Sequence, residues 1–460
     1  MNLYMVNNNT FYLPLDKKII KTNKDYISSE DFYVNNKWIN SIGKEIHKNA
    51  NEKFIQFEKS FPSSGGLLLT NKCPMKCVYC YYESGKNDNT TISKEKVYTY
   101  VKYLVKNAVM TRKISGAKNI KSSLTLTGGG EPTSDFNIFK YAIELYKEMC
   151  ANYGIKSLVH LVTNGVLTKE KVDYIVENVD AVNISFDGLP DIQNNNRPLC
   201  NGNDSFDIVD KAMKMFDMHD YKYVVRTTVS EENFGKMQEM ADFLFSNYTG
   251  LEVWHVEPVF KVGRAENMCF THTPSFYKYY LKLMDYKNEK HPNKSIFNSS
   301  FSYRLTSSFC KTVNGTGIWL DAKGDLVNCT ERISNDNPRL GYIENDTVVN
   351  EENHSALLSN YLDAKENNCQ KCIAFYHCAG GCPMRMKRDH EGKFIDDSSE
   401  LICASTKQYW KDVIFNLIDN GGFMDMSALV ANVREDCTIY DIIQHENNII
   451  NNEKKEAQAV

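Results

Sequence analysis

Between residues 65 and 260, the hydrophobic positions alternate between short continuous runs and longer runs with helical spacing. The short runs are rich in Val, Ile, Leu and Thr, and several end in Gly, Asn or Asp, which is typical of buried parallel strands. The predicted strands are residues 66–70, 124–127, 157–163, 181–186, 223–229 and 252–257.

Amphipathic helices are predicted between these strands. One has an apolar stripe over residues 97–108, with Ser93 placed to cap its first turn, and similar stripes cover residues 139–146 and 208–216. A succession of strand–helix units predicts an α/β fold with a parallel sheet and right-handed crossovers. Periodicity alone fits a partial (β/α)6 barrel and an open doubly wound sheet equally well.

The flanking segments are less regular. Residues 1–64 form a small N-terminal region with short strands and a polar helical stretch, and residues 261–309 form a bridge with one helix. Residues 310–410 lose periodicity and are rich in Gly, Asn and Cys, which indicates a domain stabilised by metal more than by a core. Residues 411–460 form a C-terminal tail.

Composition adds few constraints apart from the cysteines. A net charge of −4 gives no electrostatic reason to expect a nucleic-acid partner or an anionic membrane surface. No apolar run reaches the ~18 residues of a membrane helix, and no signal-peptide core is visible, so the chain is predicted to be cytoplasmic. Disulfides are disfavoured in that compartment. Ten of the 14 cysteines fall into spaced groups, which favours metal ligation.

The first group, Cys73, Cys77 and Cys80, has the spacing CxxxCxxC and directly follows the first predicted strand. Three thiolates on one loop are suited to hold three irons of a [4Fe–4S] cluster and leave the fourth iron open. A structural zinc ion is the alternative, but it needs four ligands, and no fourth Cys or His lies nearby in the sequence.

A glycine-rich motif, Gly128-Gly129-Gly130-Glu131-Pro132, follows the second predicted strand. Parallel α/β folds bind ligands at this end of their strands. Consecutive glycines let the backbone approach a ligand closely, and Glu131 is able to accept hydrogen bonds from an ammonium group. A glycine run alone is more typical of a tight turn than of a ligand site, so the cysteines before the motif are needed to make it specific.

The two motifs in this order resemble the signature of the radical S-adenosylmethionine (SAM) superfamily. The resemblance implies a partial (β/α)6 barrel and a [4Fe–4S] cluster on the first three cysteines, with the SAM amine and carboxylate on the open iron. By the same resemblance, Tyr79 lies beside the adenine, and Gly129, Gly130 and Glu131 bind the amine.

Weaker similarities extend this pocket. Asn164, Ser185 and Asp187 follow or end predicted strands at positions that resemble the SAM pocket of the family. Arg197 resembles an arginine that meets the SAM carboxylate. Arg226, inside a predicted strand, is the alternative partner of that carboxylate, unless it pairs with a neighbouring acid.

The C-terminal cysteines resemble those of the SPASM domain, which accompanies radical SAM enzymes that modify peptides and proteins. The resemblance implies two auxiliary [4Fe–4S] clusters, three clusters in all. The outer cluster is assigned to Cys369, Cys372, Cys378 and Cys403, and the inner one to Cys310, Cys329 and Cys382. Zinc is again the alternative, with His377 as a further ligand.

The resemblance implies an oxidoreductase that cleaves SAM reductively to a 5′-deoxyadenosyl radical. The predicted reaction crosslinks a ribosomally made precursor peptide, for example through a thioether. The electron for SAM cleavage is predicted to come from a reductant such as flavodoxin or ferredoxin. Residues 1–64 are the candidate recognition module for that peptide. The alternative is an anaerobic sulfatase maturase that forms formylglycine. Those enzymes carry an acidic residue after the second SPASM cysteine, whereas Thr330 follows Cys329 here. A zinc-stabilised binding protein is a remote third possibility.

Overall fold

The computed structural model describes residues 4–7, 10–13, 18–21, 62–84, 89–116, 120–266, 268, 275–301, 309–310, 317–327, 329–330, 339–350, 369, 372–387, 389 and 393–419. The chain divides into two compact units. The larger comprises Phe61–Asn298 and Gly315–Ala356, and the smaller comprises Met1–Ser60, Ser299–Asn314 and Leu357–Val460. The polar helical stretch predicted within the N-terminal region, at residues 40–59, and the tail beyond residue 419 lie outside the described residues, as do two of the isolated cysteines, Cys269 and Cys437.

The described strands, in chain order, are β1 (Tyr4–Asn7), β2 (Thr10–Leu13), β3 (Lys18–Lys21), β4 (Ser64–Leu67), β5 (Lys121–Leu126), β6 (Lys156–Thr163), β7 (Ala181–Ser185), β8 (Tyr223–Val229), β9 (Leu251–Pro258), β10 (Ser295–Phe297), β11 (Gly317–Leu320), β12 (Asp325–Val327), β13 (Gly341–Glu344) and β14 (Thr347–Asn350). The described α-helices are α1 (Lys94–Ser115), α2 (Phe136–Asn152), α3 (Lys169–Asn178), α4 (Pro190–Asn196), α5 (Phe206–Met218), α6 (Met237–Asn247), α7 (Phe276–Lys290), α8 (Phe375–Cys378) and α9 (Asp397–Asp419).

The larger unit is built on a parallel sheet in which β4 to β9 lie side by side in chain order. A doubly wound sheet reverses its strand order at a switch point, whereas here each strand–helix unit adds its strand to the same edge. The order continues with β10 beyond β9 and with β11 beyond β4. The prediction of a partial (β/α)6 barrel is therefore confirmed, and the alternative of a doubly wound sheet is wrong.

The strands β11 to β14 extend the barrel sheet at its β4 edge. β11 pairs in parallel with β4, and this register places Trp319 opposite Gly66. A Cβ atom on Gly66 would overlap the Trp319 ring, so the missing side chain makes room for the indole. The compact unit of the barrel therefore includes residues that the sequence assigned, from 310 onwards, to the cysteine-rich domain.

The core lies between the sheet and its helices, as the apolar stripes predict. The stripe of α1 from Val97 to Ala108 is buried, and the Ser93 side chain accepts a hydrogen bond from the Lys96 amide. Most of the stripe of α5 is buried as well, but Ile208 is exposed. Trp254 on β9 packs against Phe245 of α6. Since Trp254 faces the helices, its neighbour His255 faces the inside of the barrel.

The smaller unit contains an antiparallel sheet of order β1-β2-β3 and the helices α8 and α9. Helix α9 spans Asp397–Asp419 and so crosses the boundary predicted between residues 410 and 411. Its buried Tyr409 and Trp410 pack on Phe301 and His377, and the His377 and Trp410 rings stack at 3.6 Å between centroids. Within the described residues, no helix is both long and apolar enough to cross a membrane.

Candidate active site

The loop that carries Cys73, Cys77 and Cys80 follows β4 and is held by backbone hydrogen bonds from a distant segment. The Lys76 amide donates to the Pro198 carbonyl at 2.8 Å, and the Val78 amide donates to the Asn196 carbonyl at 2.9 Å. This tether lies just after α4, at the carboxyl end of the parallel strands. The cysteine loop is therefore fixed at the end of the barrel where such folds bind ligands.

Two of the three thiols have raised pKa values, each mainly because the thiol is buried. Burial raises the pKa of Cys73 above its ordinary value, and nearby Glu131 and the other two thiolates raise it further, against a hydrogen bond from the Met75 backbone. Burial also raises the pKa of Cys77, to about 11. Among the described residues, no three Cys, His or acidic side chains already form a metal-binding group. The raised pKa values of Cys73 and Cys77 mean that their deprotonation needs a nearby cation, as an iron–sulfur cluster would supply.

The glycine-rich motif packs directly against the start of this loop. The Gly130 amide donates to the Thr70 carbonyl at 2.6 Å, and the Glu131 amide donates to the Lys72 carbonyl at 2.7 Å. A Cβ atom on Gly130 would overlap the Lys72 carbonyl. Gly129 has a φ of +78°, which favours glycine, and its carbonyl accepts a hydrogen bond from the Ser84 hydroxyl. The glycines thus allow two strand ends to approach each other closely.

Glu131 is 2% exposed, and its carboxylate already has four donors. Oε1 accepts hydrogen bonds from the amide and hydroxyl of Thr133 and from the Thr163 hydroxyl. Oε2 accepts from the Asn164 amide at 2.7 Å. Burial raises the pKa of Glu131, and these hydrogen bonds oppose the increase. In this structure the carboxylate joins the ends of β5 and β6, which the sequence motif alone did not predict.

Tyr79, Asp187 and Arg197 form one buried cluster beside Cys77. The Tyr79 hydroxyl donates to Asp187 Oδ2, and Arg197 Nε lies 3.2 Å from Asp187 Oδ1. Arg197 Nη1 lies 4.0 Å from Cys77 Sγ. Burial lowers the pKa of Arg197, but the charges of Asp187, Tyr79 and Cys77 bring it above the ordinary value. The guanidinium is therefore charged and already paired with an acid.

Ser185 and Arg226 lie side by side on the inner face of the sheet. Strand register places Arg226 between Ser185 and His255, and His255 faces the inside of the barrel. His255 Nε2 lies 2.8 Å from Glu257 Oε1. Within the described part of the chain, the half-buried Arg226 guanidinium has neither an ion pair nor a hydrogen bond. A free cation in the barrel is suited to bind an anionic group.

Four C-terminal cysteines line a cavity of about 420 Å³ in the smaller unit. Its lining includes all four cysteines predicted for the outer auxiliary cluster: Cys369, Cys372, Cys378 and Cys403. His377, the alternative zinc ligand, does not line the cavity, and its ring stacks on Trp410.

The remaining three cysteines are divided between the compact units. Cys310 and Cys382 belong to the smaller unit and Cys329 to the larger. All three are partly exposed. Their assignment to one inner cluster stays a prediction.

Arg264, which no sequence motif predicted as part of the site, is hydrogen-bonded to the cysteine loop. Arg264 Nη1 donates to the Cys77 carbonyl at 2.6 Å, and its amide donates to the Cys80 carbonyl at 3.1 Å. Gly263, with a φ of +57°, brings this segment against the same carbonyl. A lone Gly-Arg pair in an irregular segment carries no sequence signal for such a contact.

Comparison with known proteins agrees with this geometry. The family described as "Radical SAM superfamily" matches residues 67–244. The cysteine-type anaerobic sulfatase-maturating enzyme of Clostridium perfringens is 26% identical over 383 residues, which cover 78% of this chain and 96% of that enzyme. The radical SAM cyclopropyl synthase TigE of Paramaledivibacter caminithermalis is 22% identical over 69% of this chain and 66% of its own length.

Solved structures share the fold. The sulfatase maturase anSMEcpe with bound AdoMet matches with a TM-score of 0.60 at 19% identity, over 78% of this chain and 98% of that one. SuiB of Streptococcus suis bound to its precursor peptide SuiA matches with a TM-score of 0.52 at 14% identity, over 86% of this chain and 98% of that one. The cysteine loop, the adjoining glycine motif and these matches together identify residues 67–244 as a radical SAM domain, which supports SAM and an iron–sulfur cluster as the cofactors of this enzyme.

Proposed function

We propose that this enzyme is a maturase that oxidatively crosslinks a ribosomally made peptide. The observation that carries the proposal is the pairing of two cysteine sites: the three-thiol loop at the barrel end and the four-thiol cavity of the smaller unit. A single radical step needs only the first site. A second redox centre suits a reaction that removes electrons from the substrate as a bond forms.

In the proposed site, Cys73, Cys77 and Cys80 hold the cluster. When bound, that cluster and SAM supply a 5′-deoxyadenosyl radical by one-electron reductive cleavage. Tyr79 is fixed by its hydrogen bond to Asp187, which suits a ring that positions the adenine. Ser185 lies beside Arg226, and we assign the SAM carboxylate to Arg226, because Arg197 is already paired with Asp187.

The four cavity cysteines would hold an outer auxiliary cluster that accepts electrons. Burial raises the pKa of Cys372, and the charge of Lys407 on the cavity wall opposes the increase. With the inner cluster on Cys310, Cys329 and Cys382, the proposed total is three [4Fe–4S] clusters. A low-potential protein such as flavodoxin or ferredoxin would supply the first electron.

The precursor peptide is proposed to bind the N-terminal sheet. β1 and β3 are the outer strands of the order β1-β2-β3. An outer strand offers unpaired amide and carbonyl groups to an extended peptide, which binds by adding a strand. SuiB, whose fold is similar, has been solved with its precursor peptide.

The second candidate function is anaerobic sulfatase maturation. It is favoured by the match that spans 96% of a cysteine-type sulfatase maturase. Against it stands Thr330, which follows Cys329 where those enzymes carry an acidic residue.

One experiment separates these functions. The anaerobically reconstituted enzyme is incubated with SAM, a reductant and either the peptide encoded beside its gene or a peptide that carries a sulfatase maturation site. Loss of two hydrogens from the precursor, with a new crosslink in its fragmentation spectrum, is the expected result. Conversion of a cysteine to an aldehyde in the sulfatase peptide would replace the proposal with the second candidate. Protein that binds zinc and no acid-labile sulfide would contradict both.

A further inference from the structure

The side-chain amide of Asn164 lies against the first cysteine of the cluster loop. Asn164 is buried at the end of β6, and its Nδ2 atom lies 3.6 Å from Cys73 Sγ. Sulfur is larger than oxygen, so this separation is within the range of an N–H···S hydrogen bond. The contact therefore brings a neutral donor to a proposed cluster ligand.

The orientation of this amide follows from its other contact. The Val166 backbone amide donates to Asn164 Oδ1 at 2.9 Å. A backbone N–H only donates, so the side-chain oxygen must face Val166 and the NH2 group must face Cys73. The short turn after β6 thus fixes which end of the amide meets the sulfur.

Glu131 is hydrogen-bonded to both chain segments that make this contact. Its carboxylate accepts the Asn164 backbone amide at 2.7 Å, and its own amide donates to the Lys72 carbonyl at 2.7 Å. Lys72 directly precedes Cys73 in the chain. The donor and the sulfur are therefore both anchored to one buried residue, and little freedom remains for the amide to turn away.

We propose that Asn164 sets the reduction potential of the SAM-binding cluster through an N–H···S hydrogen bond to the Cys73 thiolate. Hydrogen bonds to cluster sulfurs stabilise the more negative, reduced state and raise the potential. Asn164 is then a positioning residue, which acts on the cluster through Cys73. Glu131 holds Asn164 in place. The inference rests on the proposed function, since it requires a cluster on the first three cysteines.

The test compares two substitutions at this position with one elsewhere. Asn164→Ser keeps an oxygen acceptor for Val166 but is too short to donate to Cys73, and it adds no charge. Asn164→Asp keeps the acceptor and replaces the donor with a negative oxygen. Asn178→Asp is the control, since Asn178 ends α3 at the opposite end of the strands and its side chain donates to the Tyr174 carbonyl. The midpoint potential is measured by anaerobic titration, from the electron paramagnetic resonance signal that SAM perturbs.

The expected result is a lower midpoint potential in both Asn164 variants, and the decrease should be larger in Asn164→Asp. The iron and sulfide contents of both variants should equal those of the parent. The control should titrate like the parent. An unchanged midpoint potential in Asn164→Ser overturns the inference. A lower potential in Asn164→Asp alone would not rescue it, because the added negative charge would explain that decrease. Lost SAM binding at unchanged potential assigns Asn164 to SAM and overturns it as well. A parent protein without a cluster would instead remove the proposed function, and this inference with it.

Discussion

The Arg197 guanidinium lies over the Tyr79 ring, with its central carbon 5.1 Å from the ring centroid. Asp187 joins the two, since it accepts the Tyr79 hydroxyl and pairs with Arg197. Further hydrogen bonds to Asp187 come from the Asn196 side chain and the Thr228 amide. One buried carboxylate therefore organises an aromatic ring, a cation and two chain segments beside the cluster loop.

Replacing Asp187 with Asn should destabilise the enzyme by about 3–5 kcal/mol, because a buried arginine would lose its anionic partner. Denaturation by urea, followed by circular dichroism, measures the change. Asp173→Asn is the control, because its ion pair with Lys169 is exposed, and its unfolding midpoint should equal that of the parent. Equal midpoints for the two variants would contradict the role of Asp187.

Replacing Arg226 with Met should weaken SAM binding by about 10–100-fold, because a charge-assisted hydrogen bond contributes roughly 1.5–3 kcal/mol. Equilibrium binding of SAM to the cluster-loaded protein measures it. Arg112→Met is the control, since Arg112 lies on α1 and donates to the Gly154 carbonyl. An unchanged SAM affinity in Arg226→Met would contradict this assignment and leave Arg197 as the partner of the SAM carboxylate.

Replacing Cys77 with Ala should abolish the formation of 5′-deoxyadenosine, because the cluster would lose one of its three ligands. Chromatography of the reduced enzyme after incubation with SAM measures the product. Cys200→Ala is the matched control, since Cys200 is exposed and its Sγ lies 3.3 Å from the Cys73 carbonyl, beside the same loop. Continued product formation by Cys77→Ala would refute the assignment of this cluster.

Replacing Cys403 with Ala should lower the iron content by about four atoms per chain, because one closed cluster would be lost. SAM cleavage without substrate should persist, since the barrel cysteines are intact. Iron and acid-labile sulfide are measured on anaerobically purified protein, again with Cys200→Ala as the control. An unchanged iron content would show that the 420 Å³ cavity does not hold a cluster.

Replacing Gly66 with Ala should destabilise the protein by about 1–3 kcal/mol, because the new methyl group would overlap the Trp319 ring and the Thr125 carbonyl. Gly235→Ala is the control, because nothing lies within 4 Å of an added Cβ there. Urea denaturation compares the two. A Gly66 variant as stable as the control would mean that β11 does not pack on β4 as described.

The sequence by itself determined the strands of the barrel and three of its helices, α1, α2 and α5. Each predicted strand overlaps an observed one, and residues 223–229 match β8 in full. Apolar periodicity encodes these elements locally, because a buried strand or a helix face needs only neighbouring residues to reveal its pattern. The cysteine spacing determined the candidate ligands in the same local way.

The tertiary structure decided which residues meet. Three contacts join residues that lie far apart in the chain: β11 pairs with β4, Glu131 accepts a hydrogen bond from the Asn164 amide, and Arg264 donates to the Cys77 carbonyl. Strand order separated the barrel from the doubly wound sheet. The ion pair of Arg197 with Asp187 distinguished Arg197 from Arg226, whose guanidinium has no partner among the described residues. Such contacts depend on packing and long-range register, which no local pattern encodes.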